Sequence, residues 1–95
     1  MALFVLSCID RPDSLELRLA ARDAHLAYIA ANRDAVRLAG PYLDDEGLPV
    51  GSMLVIEAED RADVDAFAAA DPYKLADLFE QVEVRTWRVS VGAIA

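Results

Sequence analysis

A chain of 95 residues, 56% of them hydrophobic, is one domain's worth of sequence (residues 1–95) with apolar side chains enough for a core and some to spare. Nine Lys and Arg against 17 Asp and Glu give a net charge of −8, which repels phosphate backbones and anionic membranes and argues against nucleic-acid binding. One cysteine and one histidine rule out an internal disulfide and a His/Cys metal cluster; no apolar run approaches the ~18–20 residues of a membrane span, and without a second Cys or a signal-peptide pattern the expected compartment is the cytoplasm.

Residues 2–9 (ALFVLSCI) are a short apolar run rich in strand formers and read as a central strand. Asp10-Arg11-Pro12-Asp13-Ser14 breaks it, and Ser14, or Asp13, serves as the N-cap of a long helix. The spacing predicts that helix over 15–38. Leu15, Leu19, Arg22, Leu26, Ile29, Arg33 and Val36 fall along one stripe at intervals of three or four, and alanines fill much of the rest. Gly40-Pro41 is read as its stop, since Gly suits a C-terminal cap and Pro cannot continue a helix.

Residues 41–50 read as a strand end and a hairpin turned by Asp44-Asp45-Glu46-Gly47, and 51–58 (GSMLVIEA) as the next strand. Asp60 caps a second helix over 61–70, with Val64, Phe67 and Ala68 facing inward. Asp71 caps a further short helix with Pro72 at its first position, where the missing N–H costs nothing, and Leu75, Leu78 and Phe79 make that helix amphipathic. Residues 81–91 (QVEVRTWRVSV) alternate, with Val82, Val84 and Thr86 against Glu83, Arg85 and Trp87, as a half-buried strand does. The order β-α-β-β-α-β predicts an α+β, ferredoxin-like fold, an antiparallel sheet with both helices on one face. The other face is left bare. An outward Trp87 and the apolar surplus predict a homodimer whose two sheets pack face to face.

Few residues are suited to chemistry. The acidic turn lacks the alternating ligands of a calcium loop, and glycines at 40, 47, 51 and 92 form no phosphate loop, so neither a metal nor a nucleotide cofactor is expected. Cys8, within a strand, reads as a small hydrophobe rather than a nucleophile. Ser52 stands in no nucleophile elbow and reads as a hydrogen-bond donor near a pocket or a plain strand residue. His25 is the general base that remains. Arg18, Arg22 and His25 stand at i, i+4 and i+7 and share one helix face, and Asp71, in a loop before a proline, is the candidate carboxylate. A His–carboxylate pair suits acid–base work, because the carboxylate fixes the tautomer and raises the basicity of the ring. The arginines then serve to hold a small anionic molecule or a developing enolate. The bland alternative is also open: a structural histidine, Arg18 and Arg22 paired with Glu16, Asp23 or other acids, and Asp71 as a cap alone.

Taken together the pieces resemble the YciI-like (YCII-related) family of the dimeric α+β barrel superfamily. The matching pieces run in order from Arg22-Asp23-Ala24-His25-Leu26 through Ala39-Gly40-Pro41, the acidic turn to Gly47, Gly51-Ser52 and Glu57-Ala58. Asp71-Pro72-Tyr73, Leu78-Phe79 and the last strand with Trp87 complete them. The resemblance implies a ferredoxin-like fold paired through its sheets and an active site on a His–Asp pair. Carried over, that pair is His25 and Asp71, with Ser52, Arg22 and Tyr73 as substrate contacts. Many members have Phe where Tyr73 stands, so the phenol alters the polarity of the pocket. One branch is dehalogenase-like and acts by proton transfer on a chlorinated hydroxymuconate; nothing in these residues points to that substrate. The implied function is cofactor-free proton transfer on a small carboxylic or enol acid, of the lyase or isomerase kind. The alternatives are a non-catalytic ligand-binding or accessory module, and a cofactor-free oxygenase of the same superfamily.

Overall fold

The computed structural model describes residues 1–94. The elements run β1 (Ala2–Asp10), α1 (Leu15–Ala31), β2 (Val36–Leu43), β3 (Pro49–Ala58), α2 (Arg61–Ala70), α3 (Pro72–Leu75) and β4 (Phe79–Trp87). The four strands form one antiparallel sheet in the order β2-β3-β1-β4, the ferredoxin-like plan expected from the pattern. Alternation sends Phe4, Leu6 and Cys8 of β1, with Leu54 and Ile56 of β3 and Val84 of β4, into one core with Val64, Tyr73 and Leu78. Helices cover that face only.

Helix α1 is shorter than its apolar stripe. It ends at Ala31 rather than at residue 38, so Arg33 and Val36 are not helical. Asn32 accounts for the stop. Its N–H turns back to the Ile29 carbonyl, its side-chain Nδ2 donates to the Tyr28 carbonyl, and its own carbonyl accepts from the N–H groups of Ala35 and Val36. The chain then turns straight into β2, so Gly40 and Pro41 lie inside a strand, opposite Met53 and Ser52. A proline is tolerated there because β2 is an edge strand.

Other boundaries also differ from expectation. Strand β3 begins at Pro49, earlier than 51. Helix α3 closes at Leu75, and Leu78 and Phe79 fall beyond it, because Asp77 adopts a left-handed conformation (φ 60°) that starts β4 at Phe79. Arg11 secures that turn, with Nε on the Asp77 carbonyl and Nη2 on its carboxylate. Strand β4 ends at Trp87, not 91, because Trp87 pairs with Leu3 and β1 itself begins at Ala2. Ser14 holds the N-cap position of α1 but does not cap with its side chain; its hydroxyl donates to the Pro12 carbonyl instead. Asp60 does cap α2, accepting from the Asp63 N–H.

The face away from the helices carries Leu38, Met53 and Trp87, each more than a third exposed, around a buried Val55. Tyr42 of β2 reaches the hydroxyl of Ser7 on β1 at 2.9 Å, passing the intervening strand at Gly51. A Cβ on Gly51 would stand 2.5 Å from the Cys8 carbonyl oxygen and 2.9 Å from the Tyr42 ring, so only glycine allows that crossing.

Candidate functional site

Helix α1 turns its mixed face toward the sheet, and the intervals of four and three residues bring Arg18, Arg22 and His25 to one side. Arg18 and His25 are buried there, while Arg22 is exposed at the rim. Asp71 stands at the junction of α2 and α3 and is 2% exposed. Its Oδ1 accepts the Tyr73 N–H at 2.9 Å, capping α3, and meets His25 Nδ1 at 2.8 Å. Capping and pairing, which the sequence offered as alternatives, are carried by the same oxygen atom. An ionised carboxylate only accepts, so Nδ1 is the donor of this bond, and in the neutral ring Nε2 is then the nitrogen with a free lone pair.

The His25 ring is stacked on Tyr73, with centroids 3.9 Å apart and planes inclined by 13°. Tyr73 in turn meets Phe79 edge to face. Bonded through Nδ1 and stacked, the imidazole has one fixed orientation. Nε2 has no hydrogen-bond partner among the described residues. No fully buried side-chain nitrogen or oxygen among them lacks a partner, so Nε2 is open rather than sealed.

It opens beside a cavity of about 490 Å³ between α1 and the β2–β3 side of the sheet. Arg18, Arg22, His25, Ser52 and Tyr73 supply its polar wall. Leu19, Leu26, Ile29 and Leu54, with the β2 segment Ala39-Gly40-Pro41, supply an apolar one. That segment reaches the cavity only because α1 ends at Ala31. An apolar chamber with a few convergent polar groups is the usual form of a small-molecule site.

Ser52, 4% exposed, accepts a hydrogen bond from Arg18 Nη2 at 2.8 Å. Arg18 pairs with neither Glu16 nor Asp23. It forms a two-point ion pair with Asp10 at the end of β1, Nε to Oδ2 at 2.7 Å and Nη2 to Oδ1 at 3.0 Å, and its Cζ lies 4.6 Å from the centre of the Tyr73 ring. Burial disfavours the Arg18 charge, but Asp10 and Tyr73 together outweigh burial and the guanidinium is held more firmly protonated than usual. Asp10 also lines a second cavity, of about 560 Å³, at the end of the sheet. Burial raises the Tyr73 phenol above its ordinary value, against the opposing charges of Arg18 and Arg22. Burial, helped by the charges of Asp71 and Asp10, pushes the Cys8 thiol up to about 12, so it stays protonated and is no nucleophile.

All five residues expected at the site therefore converge: His25 and Asp71 as a pair, Arg22, Ser52 and Tyr73 on the cavity wall. That Arg18 pairs with an acid was one of the open alternatives; that the acid is Asp10 was missed. The signal for Asp10 is parity, since Phe4, Leu6 and Cys8 point inward and the same count places Asp10 inward. Among the described residues no three His, Cys, Asp or Glu side chains are grouped to hold a metal.

Comparison with known proteins gives a consistent result. The YCII-related domain model matches residues 2–88. Protein YciI of Escherichia coli O6:H1 is 38% identical over 94 residues, covering 90% of this chain and 96% of that protein. The 5-chloro-2-hydroxyhydroquinone dehydrochlorinase of Burkholderia phenoliruptrix AC1100, solved in complex with 2,5-dihydroxybenzoquinone, superposes with a TM-score of 0.84. It is 35% identical, over 90% of this chain and 93% of its own. A dimeric ferredoxin-like protein of unknown function from Jannaschia sp. CCS1 shares the fold at a TM-score of 0.50 and 19% identity, over 94% of this chain and all of its own.

Proposed function

The chain belongs to the YCII-related domain family, and from that premise we propose that it is a cofactor-free enzyme of the lyase or isomerase kind that moves a proton on a small anionic carboxylic or enol acid. The observation that carries this reading is the His25 ring, bonded to Asp71 through Nδ1 at 2.8 Å with Nε2 left open at the cavity. Nε2 takes a proton from the carbon or oxygen next to a carbonyl. Asp71 holds the tautomer and stabilises the imidazolium that forms. Ser52 donates to the oxygen on which charge develops, Arg22 at the rim supplies positive charge that favours an anionic substrate, and Tyr73 keeps the imidazole plane fixed. Likeness to a dehydrochlorinase supports chemistry in which the base removes a proton and a halide leaves with its bonding pair. The bare sheet face and the dimeric neighbour support a homodimer paired through its sheets.

The test is chloride release from 5-chloro-2-hydroxyhydroquinone, with binding of 2,5-dihydroxybenzoquinone measured beside it. His25→Ala is expected to lower kcat by about 10²–10⁴ while leaving quinone binding largely intact. Turnover that survives His25→Ala unchanged would remove the mechanism. A wild-type protein that binds the quinone but turns over no chlorinated or enolic acid is instead a ligand-binding module.

A further inference from the structure

We propose that Arg18, positioned by Asp10, is the anchor of this cavity for a planar oxyanion, a carboxylate or a conjugated enolate carried on an apolar body. The inference rests on the reading of the cavity as a ligand site and assigns which group grips the ligand. A guanidinium has five N–H donors. Three of those on Arg18 are engaged: Nε–H on Asp10 Oδ2, and the two on Nη2 on Asp10 Oδ1 and Ser52 Oγ. The two on Nη1 make no close hydrogen bond to any described residue, although the Tyr73 phenol lies near enough to help hold the guanidinium protonated. As with His25 Nε2, the absence of any sealed and unpartnered side-chain nitrogen there means that Nη1 is open. Arg18 lines the cavity although its side chain is only 6% exposed. A buried arginine with two free donors is a poor stabilising device, because burying a charge is costly and the pairing recovers only part of that cost. It is a good receptor for an anion.

The surroundings narrow the ligand. Ser52 Oγ already accepts from Arg18, so its own proton, which meets no acceptor among the described residues, is free to donate to the same oxyanion. Tyr73, lying under the guanidinium, leaves its orientation fixed. Asp10 cancels the Arg18 charge, so this end of the cavity recognises an oxyanion by directed hydrogen bonds, while exposed Arg22 at the rim supplies the uncompensated positive charge. The opposite wall of Leu19, Leu26, Ile29 and Leu54 takes the apolar body. Arg18, not Arg22, then sets affinity at the floor, and Arg22 mainly sets the salt dependence of capture.

The experiment titrates two ring anions, benzoate for the carboxylate and 2,5-dihydroxybenzoquinone for the conjugated enolate, into wild type, Arg18→Lys, Arg22→Gln and the double variant Asp10→Asn/Arg18→Gln. The double variant leaves no buried carboxylate without its partner, so it keeps a folded comparison where a single change at Arg18 unfolds the protein; circular dichroism confirms it. At least one probe is expected to bind wild type, and Arg18→Lys and the double variant to weaken it by about ten- to a hundredfold. Arg22→Gln is expected to weaken it less and to flatten the salt dependence. Arginine side-chain NMR of wild type is expected to show the Arg18 Nη1 protons shifting with ligand while the Nη2 protons hold, which a purely structural arginine would not do. Which probe binds tells the carboxylate from the enolate. Unchanged affinity in folded Arg18 variants, or binding of neither probe to wild type at about 10 mM, overturns the assignment. Binding that depends on Arg18 without any turnover sustains it while removing the enzymatic reading.

Discussion

His25 has one nitrogen bound and one open, and Asp71 determines which. Replacing Asp71 by Asn keeps an oxygen able to accept both the Tyr73 N–H and the ring N–H. The fold is therefore expected to persist while the imidazole loses its charged partner. Asp71→Asn should lower turnover about ten- to a hundredfold with little change in Tm, as parallel kinetics and melting curves would show. A second expectation follows from Cys8. Its folded pKa lies at about 12, above the ordinary thiol value of 9.0, so the folded chain holds a proton that the unfolded chain releases. Its contribution to stability is full below about pH 9 and is lost as pH rises toward about 12; the burial-raised phenols of Tyr28 and Tyr73 act in the same sense. The urea midpoint should fall across that window, and Cys8→Ala should fall less steeply. The pairing residues were legible from spacing and chain order, because a helix fixes which side chains share a face. The Asp10–Arg18 pair was not, because it joins a strand end to a helix across a tertiary contact that no local period records.

At the scale of elements, local signals conflict where α1 passes into β2. The apolar stripe continues past residue 31 and Gly40-Pro41 looks like a stop, yet Asn32 ends the helix by bonding back to Tyr28 and Ile29. Val36 and Leu38 then find partners in Ile56 and Val55, so strand pairing outcompetes about two more helical turns' worth of pattern. The consequence reaches the site, because Ala39 to Pro41 become one wall of the cavity. Gly51 is the tight point of the same β2–β3 hairpin. Gly51→Ala pushes a methyl against the Cys8 backbone and the Tyr42 ring and is expected to cost about 1–3 kcal/mol, read from urea unfolding. Asp60→Ala, by contrast, removes only the α2 cap. It should cost about 1 kcal/mol and leave turnover unchanged.

For the molecule as a whole, the layering was legible and the strand ends were not. Alternation marks the buried face of each strand, whereas the lengths depend on where the neighbouring strand runs out, as β4 shows at Trp87. The uncovered face, with Leu38, Met53 and Trp87 exposed, is expected to close against a second copy. Sedimentation should give about twice the 10.3 kDa chain mass, and Leu38→Glu with Met53→Glu should halve it. The chain's single histidine makes its central assignment directly measurable, since the ring-nitrogen NMR spectrum contains one imidazole. At a pH where the ring is neutral, Nδ1 should carry the proton and Nε2 none, and ring-anion binding should shift Nε2 more than Nδ1. A neutral ring protonated at Nε2, or one whose nitrogens ignore a bound ligand, would contradict the assignment of His25 as the base of this site.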